Sequence, residues 1–455
     1  MAGIGFRLRK NVLEGSLLDK VTAFVQGAFI TCGPWLLTII AMSCISYMHG
    51  RNESQEEIIL FRSIVTYIYA SSLIILGILQ LPVTRYLADE LYKEDASNLS
   101  PTYRAVLIVI CSIYALILIP FIYFGLNTGL LLSLNTYILG QLVVCIWIAM
   151  IYLSCLHRVK SILMSFIFGT LIGTLASIQL GELWGLNGYM LGFSLGQAFI
   201  FLFLSVEIFK EYPSKRYISF SFLSYIKKYP SLLFIGLFYN LGIWIDKLLV
   251  WNSEFSISIS PWMNISPIYD APLFFAYLTV IPSYTYFMIF TETELFINIR
   301  HYYKTFMNHA DLDSVIQLKY KAFDTVQNSI LRLIKYQGLF TFTVLIFSSE
   351  FISFLYLELA GLAIFRIGVL AAFIHTLVLI LLILLLYFEF KGLAALLCFT
   401  FFILNALFTS ITLQLGVQFL GIGYLLAGII SLVTGLLSFA NALNWLEYHT
   451  LKDSC

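Results

Sequence analysis

The run Tyr229–Val250, YPSLLFIGLFYNLGIWIDKLLV, decides how the rest of the chain is read. Its 22 residues carry only two charges, Asp246 and Lys247. A helix crossing roughly 30 Å of hydrocarbon needs about 20 mostly apolar residues, so this run is long enough to span a bilayer. Asn240, Trp244, Lys247 and Trp251 recur at spacings of four, three and four, which predicts one stripe along a helix. Asp246 falls about 100° round from Lys247 and accompanies it at one edge.

Outward from this run, eleven more segments have the same character: Val21–Tyr47, Arg62–Thr84, Arg104–Gly125, Ser133–Leu156, Ser161–Gly181, Asn187–Phe209, Ala271–Ile297, Ile334–Leu357, Leu362–Phe388, Gly392–Leu415 and Leu420–Trp445. Backbone groups cannot stay unpaired in lipid, and these runs are too long and too continuously apolar for barrel strands, so they are read as helices. The expected fold is an all-α membrane protein of twelve transmembrane helices. Composition agrees. Charged residues make up 11% of the 455, against about 25% in a soluble domain. A net charge of +1 leaves no basic excess for neutralising phosphates, which excludes a nucleic-acid binder.

Basic residues set the expected orientation. With the N-terminus inside, 22 of the 26 Lys and Arg fall on the cytoplasmic side, and only Arg51, Arg62, Lys247 and Arg366 do not. Both termini are therefore expected in the cytoplasm. The basic, aromatic segment 211–228 separates an N-terminal lobe, 1–210, from a C-terminal lobe, 229–455. A second inside segment, 298–335, has amphipathic spacing and is expected to lie along the cytoplasmic interface. Helix six opens Gly188-Tyr189-Met190-Leu191-Gly192 and helix twelve opens Gly423-Tyr424-Leu425-Leu426-Ala427. That match, unless it arises by chance, predicts a parallel repeat about an axis along the membrane normal.

Several chemistries are absent. No Gly-Lys dipeptide occurs, so there is no P-loop, and neither G-x-S-x-G nor H-E-x-x-H appears. Seven cysteines are scattered without a C-x-x-C pair, and of six histidines only His375 lies deep in a helix. Nothing here calls for a metal, a cofactor or an enzymatic reaction.

The charges that topology leaves unexplained are the candidate site. An ionisable pair within a span is costly unless it faces a cavity or a partner. Asn240, Trp244, Asp246, Lys247 and Trp251 are read as a substrate path, since aromatic faces beside amide and charged groups suit sugar rings with apolar faces and polar rims. The alternative is that the tryptophans are belt residues and Lys247 snorkels outward, although Asp246 cannot reach as far. Glu292 and Glu294, with Arg85 and Asp89, are candidates for a cytoplasmic gate or coupling site. Their alternatives are pairing with loop cations for the glutamates and an i,i+4 bridge for Arg85 and Asp89. Gly33 and Pro34 form a candidate hinge, and Pro120 and Pro282 should bend their spans too. Glu358 is the expected neighbour of Arg366.

The opening Met1-Ala2-Gly3-Ile4-Gly5-Phe6 with Leu8-Arg9-Lys10, Gly33-Pro34-Trp35, Thr84-Arg85-Tyr86-Leu87-Ala88-Asp89 and Tyr239-Asn240-Leu241-Gly242-Ile243-Trp244-Ile245-Asp246-Lys247 resemble the PelG family over the whole chain. The resemblance implies an inner-membrane transporter of the Pel exopolysaccharide in the multidrug/oligosaccharidyl-lipid/polysaccharide exporter superfamily. It implies two six-helix lobes around a central cavity and an amino-sugar polysaccharide substrate. A cytoplasmic glycosyltransferase and cyclic di-GMP-responsive membrane proteins are its implied partners. Two other functions remain open on the residues: a lipid-linked oligosaccharide flippase or drug antiporter of the same superfamily, and a non-transporting scaffold that anchors a glycosyltransferase.

Overall fold

A computed structural model describes residues 2–49, 55–93, 96–156, 158–307, 312–354 and 360–445. The helices are α1 (Ala2–Glu14), α2 (Leu17–His49), α3 (Gln55–Tyr92), α4 (Leu99–Pro120), α5 (Leu130–Cys155), α6 (Val159–Glu211), α7 (Leu223–Lys228) and α8 (Pro230–Trp251). A short antiparallel hairpin of β1 (Ile257–Ser260) and β2 (Met263–Ile265) follows. Then come α9 (Pro267–Leu278), α10 (Ile281–Tyr286), α11 (Glu292–Met307), α12 (Leu312–Ile346), α13 (Ser348–Phe354), α14 (Ala360–Tyr387), α15 (Lys391–Gln414) and α16 (Ile422–Leu443).

Among the described residues, ten helices are long and apolar enough to cross a membrane, or eleven when the bent α2 is counted as one span. The chain is thus a multi-pass membrane protein. The count falls short of the expected twelve because the fifth and sixth spans, two helices joined at a kink, are counted together as α6. At Gly185 that helix leaves helical geometry (φ 56°, ψ −138°), a conformation open to a residue without Cβ. The chain doubles back there. A Cβ on Gly192 would lie 2.2 Å from the backbone nitrogen of Ser177, so the two arms of α6 meet backbone to backbone.

Prolines shape three spans. α2 bends by 67° where Leu17–Pro34 meets Leu36–Met48, since a proline inside a helix removes a donor and clashes with the preceding turn. After Pro120, α4 passes into a π-helical turn, Phe121–Leu126, closed by Asn127 in the left-handed region (φ 46°). Pro282 lies in the first turn of α10, after a break between α9 and α10, where its missing N–H costs nothing. Gln337 of α12 repairs that break: its Nε2 donates to the Thr279 carbonyl at 3.0 Å, and its side-chain oxygen accepts from the Ser283 hydroxyl. Segment 298–335 is helical on both sides of residues 308–311, which lie outside the described residues, and its later part runs without interruption into the ninth span as α12.

The chain gathers into two compact units. One comprises residues 1–32, 268–393 and 407–455, the other 33–267 and 394–406. Residues 211–228 lie within the second unit, where Arg104 donates to the Tyr217 carbonyl at 2.9 Å and Phe222 is buried. In each unit, the segment that opens on Gly-Tyr presses its glycine against the backbone before it: Gly188 against Leu180, Gly423 against Thr409. Tyr189 and Tyr424 are both buried.

Candidate functional site

α8 is placed by contacts that leave no room for side chains. A Cβ on Gly77 of α3 would lie 2.4 Å from the Gly236 carbonyl oxygen, and one on Gly236 would lie 2.0 Å from the Gly77 carbonyl. The two backbones touch. One turn along, Asn240 Nδ2 donates to the Gly236 carbonyl at 2.9 Å. On another side, the Phe401 ring of α15 packs against Gly242, and buried Asn405 donates from Nδ2 to the Gly242 carbonyl at 2.8 Å.

These contacts hold Asp246 in the interior, with its side chain 0% exposed. Lys247 turns back along the helix: its ammonium lies 3.2 Å from Asp246 Oδ2 and 3.3 Å from Oδ1, and donates to the Ile243 carbonyl at 3.0 Å. It is also 5.6 Å from the centre of the Trp244 ring. Lys247 therefore spends its donors on the protein rather than extending toward an interface, and that geometry differs from snorkelling.

The aromatic members of the stripe continue beyond α8. Trp244 and Trp251 have ring centroids 6.3 Å apart. Trp251, 1% exposed, stacks on Tyr67 of α3 at 4.7 Å with planes 22° apart. Tyr67 stacks in turn on Phe121 at 5.7 Å and 18°. Its hydroxyl donates to the Asn264 carbonyl of β2 at 2.7 Å and accepts from the Asn264 N–H at 3.0 Å. Trp251 is thus a packing residue in this conformation, while Asn240 and Trp244 are half-buried.

The four gate candidates separate into two groups. Arg85 Nε meets Asp89 Oδ1 at 3.3 Å in the second unit, and the guanidinium lies 5.7 Å from the Tyr229 ring centre. Nearby on α7, burial, a hydrogen bond to Asp89 and the carboxylate charge push the Tyr225 phenol up to about 12. Glu292 and Glu294 begin α11 in the first unit. The cation that meets Glu294 is Arg9 of α1, at 2.7 Å, while Arg300 lies over Phe296. Ser329 of α12 donates to the other Glu294 oxygen at 2.6 Å. α1 is held there by more than charge: Gly5 presses on the Met288 carbonyl, Phe6 meets Phe296 edge-on at 6.2 Å, and Leu8 is buried with Met288 and Ile289.

Arg366 bonds Ser348 through Nε at 2.7 Å, and its expected neighbour Glu358 lies outside the described residues. Among the described residues, no group of three or more His, Cys, Asp or Glu could hold a metal ion. Tyr67, Asn264, Arg9 and Ser329 escaped the sequence reading because each joins its site across more than thirty residues. Asn405, an amide inside an apolar span, carried a signal that could have found it.

The fold places the chain in a class. A crystal structure of MATE in the bent conformation aligns over 98% of this chain and 99% of that one, with TM-score 0.60 and 12% identity. An inward-facing multidrug-resistance MATE family transporter of the MOP superfamily aligns over the same shares, with TM-score 0.59 and 11% identity. A MOP superfamily transporter from Pyrococcus furiosus, described as having a binding pocket of reverse polarity, aligns over 97% of this chain and 98% of that one, with TM-score 0.55 and 14% identity. The chain thus has the fold of MOP-superfamily transporters. Within that class the chain belongs to the PelG family: the family model, described as "Putative exopolysaccharide Exporter (EPS-E)", matches residues 1–451. No curated protein matches the sequence.

Proposed function

We propose that the protein exports a Pel-type amino-sugar polysaccharide across the bacterial inner membrane by rearrangement of two six-helix lobes about a central cavity. The match of the PelG family model to residues 1–451 is the observation that carries this reading. Twelve spans follow when the two arms of α6 on either side of Gly185 are counted separately; α6 as one straight rod would be about 80 Å long, far beyond the bilayer. With the 22-to-4 division of basic residues, both termini face the cytoplasm.

In this reading Asn240 and Trp244 contact sugar, and the buried Asp246–Lys247 pair forms a polar latch toward the outside. Glu294, held by Arg9 and Ser329, lies at the cytoplasmic mouth with Glu292. The Arg85–Asp89 pair marks the inner end of α3, and Gly33 with Pro34 is the hinge of α2. The partners are a cytoplasmic glycosyltransferase and cyclic di-GMP-responsive membrane proteins. Uptake of defined amino-sugar oligomers into inverted membrane vesicles, with and without an imposed ion gradient, tests the proposal. Saccharide accumulation that depends on the protein supports it. Uptake of lipid-linked oligosaccharide or cationic drug alone would replace it with a flippase or an antiporter. Loss of polymer synthesis on gene deletion, with no vesicle transport, would point to the scaffold.

A further inference from the structure

The stack that begins at α8 does not end at Tyr67. Phe121, the last ring of the column, opens the π-helical turn Phe121–Leu126, and such turns recur at functional positions. The turn presents Gly125 to the hairpin. Its carbonyl accepts from the Ser260 hydroxyl at 2.8 Å and from the Trp262 N–H at 3.4 Å, and a Cβ on Gly125 would lie 2.9 Å from Trp262 Cβ. The strand pairing shifts register between Ser258 and Ser260, a bulge of the kind that re-aims a neighbouring side chain. Asn127 closes the turn in a conformation that non-glycine residues rarely adopt.

All of this fixes an aromatic surface that is exposed. Trp262 is 53% exposed, Phe124 57% and Tyr123 73%. Phe124 lies 5.8 Å from Trp262 with planes 30° apart, and Tyr123 meets Phe124 edge-on at 4.8 Å. A belt tryptophan is oriented by the lipid around it. At Trp262 the protein fixes the backbone instead, through the Trp262 N–H and the Ser260 hydroxyl on the Gly125 carbonyl, and the indole packs on Gly125 and Phe124. It is also continuous with the candidate site, because Asn264, two residues on, is bonded reciprocally to Tyr67, the ring against which Trp251 packs.

We propose that Trp262, with Phe124 and Tyr123, is an exit subsite that stacks the apolar face of a pyranose ring in the emerging saccharide chain. This rests on the exporter reading and its orientation, which puts the hairpin outside. The half-exposed indole, packed on Gly125 and Phe124, gives a flat contact of low entropic cost, and the neighbouring rings extend it along a polymer. Stacking rather than charge makes the subsite tolerant of substituents on the ring.

The test is binding of amino-sugar oligomers to the full-length protein in nanodiscs, measured by calorimetry, alongside vesicle transport. Trp262→Ala should weaken binding about tenfold, the scale of losing one aromatic anchor. Trp262→Tyr should retain most of the affinity, and both variants should keep the wild-type melting temperature in detergent. Wild-type affinity in Trp262→Ala overturns the subsite while transport by the wild type leaves the exporter reading standing. A Trp262→Ala protein that binds normally but melts earlier in nanodiscs than in detergent is an interface anchor, which also overturns the subsite. Wild-type protein that neither binds nor transports saccharide overturns both readings.

Discussion

Asp246 and Lys247 are neighbours in sequence and partners in space: the ammonium lies 3.2 Å from a carboxylate that is wholly buried. Successive side chains on a helix point about 100° apart, so this pairing requires the lysine stem to fold back, and its bond to the Ile243 carbonyl holds it there. Breaking a buried pair by removing one partner costs about 3–5 kcal/mol, because the remaining charge stays desolvated. Asp246→Asn should therefore lower the melting temperature and abolish export. The double variant Asp246→Asn/Lys247→Met should recover much of the stability without recovering export. If export instead tracks stability in both variants, the pair is structural.

The contact of Gly77 with Gly236 predicts an unusually sharp size limit. A Cβ at Gly77 would lie 2.4 Å from the Gly236 carbonyl oxygen, so α3 and α8 would have to separate. Gly77→Ala should cost about 1–3 kcal/mol by overpacking. Gly129, whose Cβ would meet nothing within 4 Å, is the control at which alanine should be neutral by comparison. Thermal melts of purified protein compare the two.

Arg9 and Glu294 should show coupling that charge reversal can restore. Their exposure is partial, so the direct interaction is worth about 1 kcal/mol. Arg9→Glu should loosen α1 and increase its proteolysis, and Arg9→Glu/Glu294→Arg should reverse that effect. A double-mutant cycle with no coupling energy would mean that the apolar contacts of Phe6 and Leu8 alone hold α1.

Gln337 does the work of a backbone group at the break between α9 and α10. Gln337→Leu keeps the volume but leaves the Thr279 carbonyl and the Ser283 hydroxyl short of a partner in the interior, at about 1–3 kcal/mol. Faster hydrogen exchange in residues 279–286 than in the wild type is the expected sign. Gln337→Glu retains an acceptor for Ser283 but loses the donor to Thr279, and should rank between the two.

Much of the architecture was legible because a bilayer demands long apolar helices and penalises isolated charges. The spans and the oddity of Asp246 beside Lys247 both follow from that. The join between the fifth and sixth spans was less sharply legible: the sequence leaves residues 182–186 between them, whereas the backbone departs from helical geometry at Gly185 alone. Composition could find the polar members of the α8 stripe but not their surroundings. Trp251 looks from sequence like a ring available to substrate, and only the stack on Tyr67 reveals that its face is taken. Similarly, Glu294 has a near cation in sequence, Arg300, and a far one in space, Arg9. The far one wins because α1 is carried there by Gly5, Phe6 and Leu8, whose packing no local spacing encodes.

The membership of the second unit has a consequence for how the chain is made. Residues 33–267 require residues 394–406 to complete them, so their Gly242 carbonyl has to wait for Asn405 to be synthesised. During insertion, the early spans thus stand in the membrane before the amide that completes the Gly242 carbonyl, which arrives only with the eleventh span.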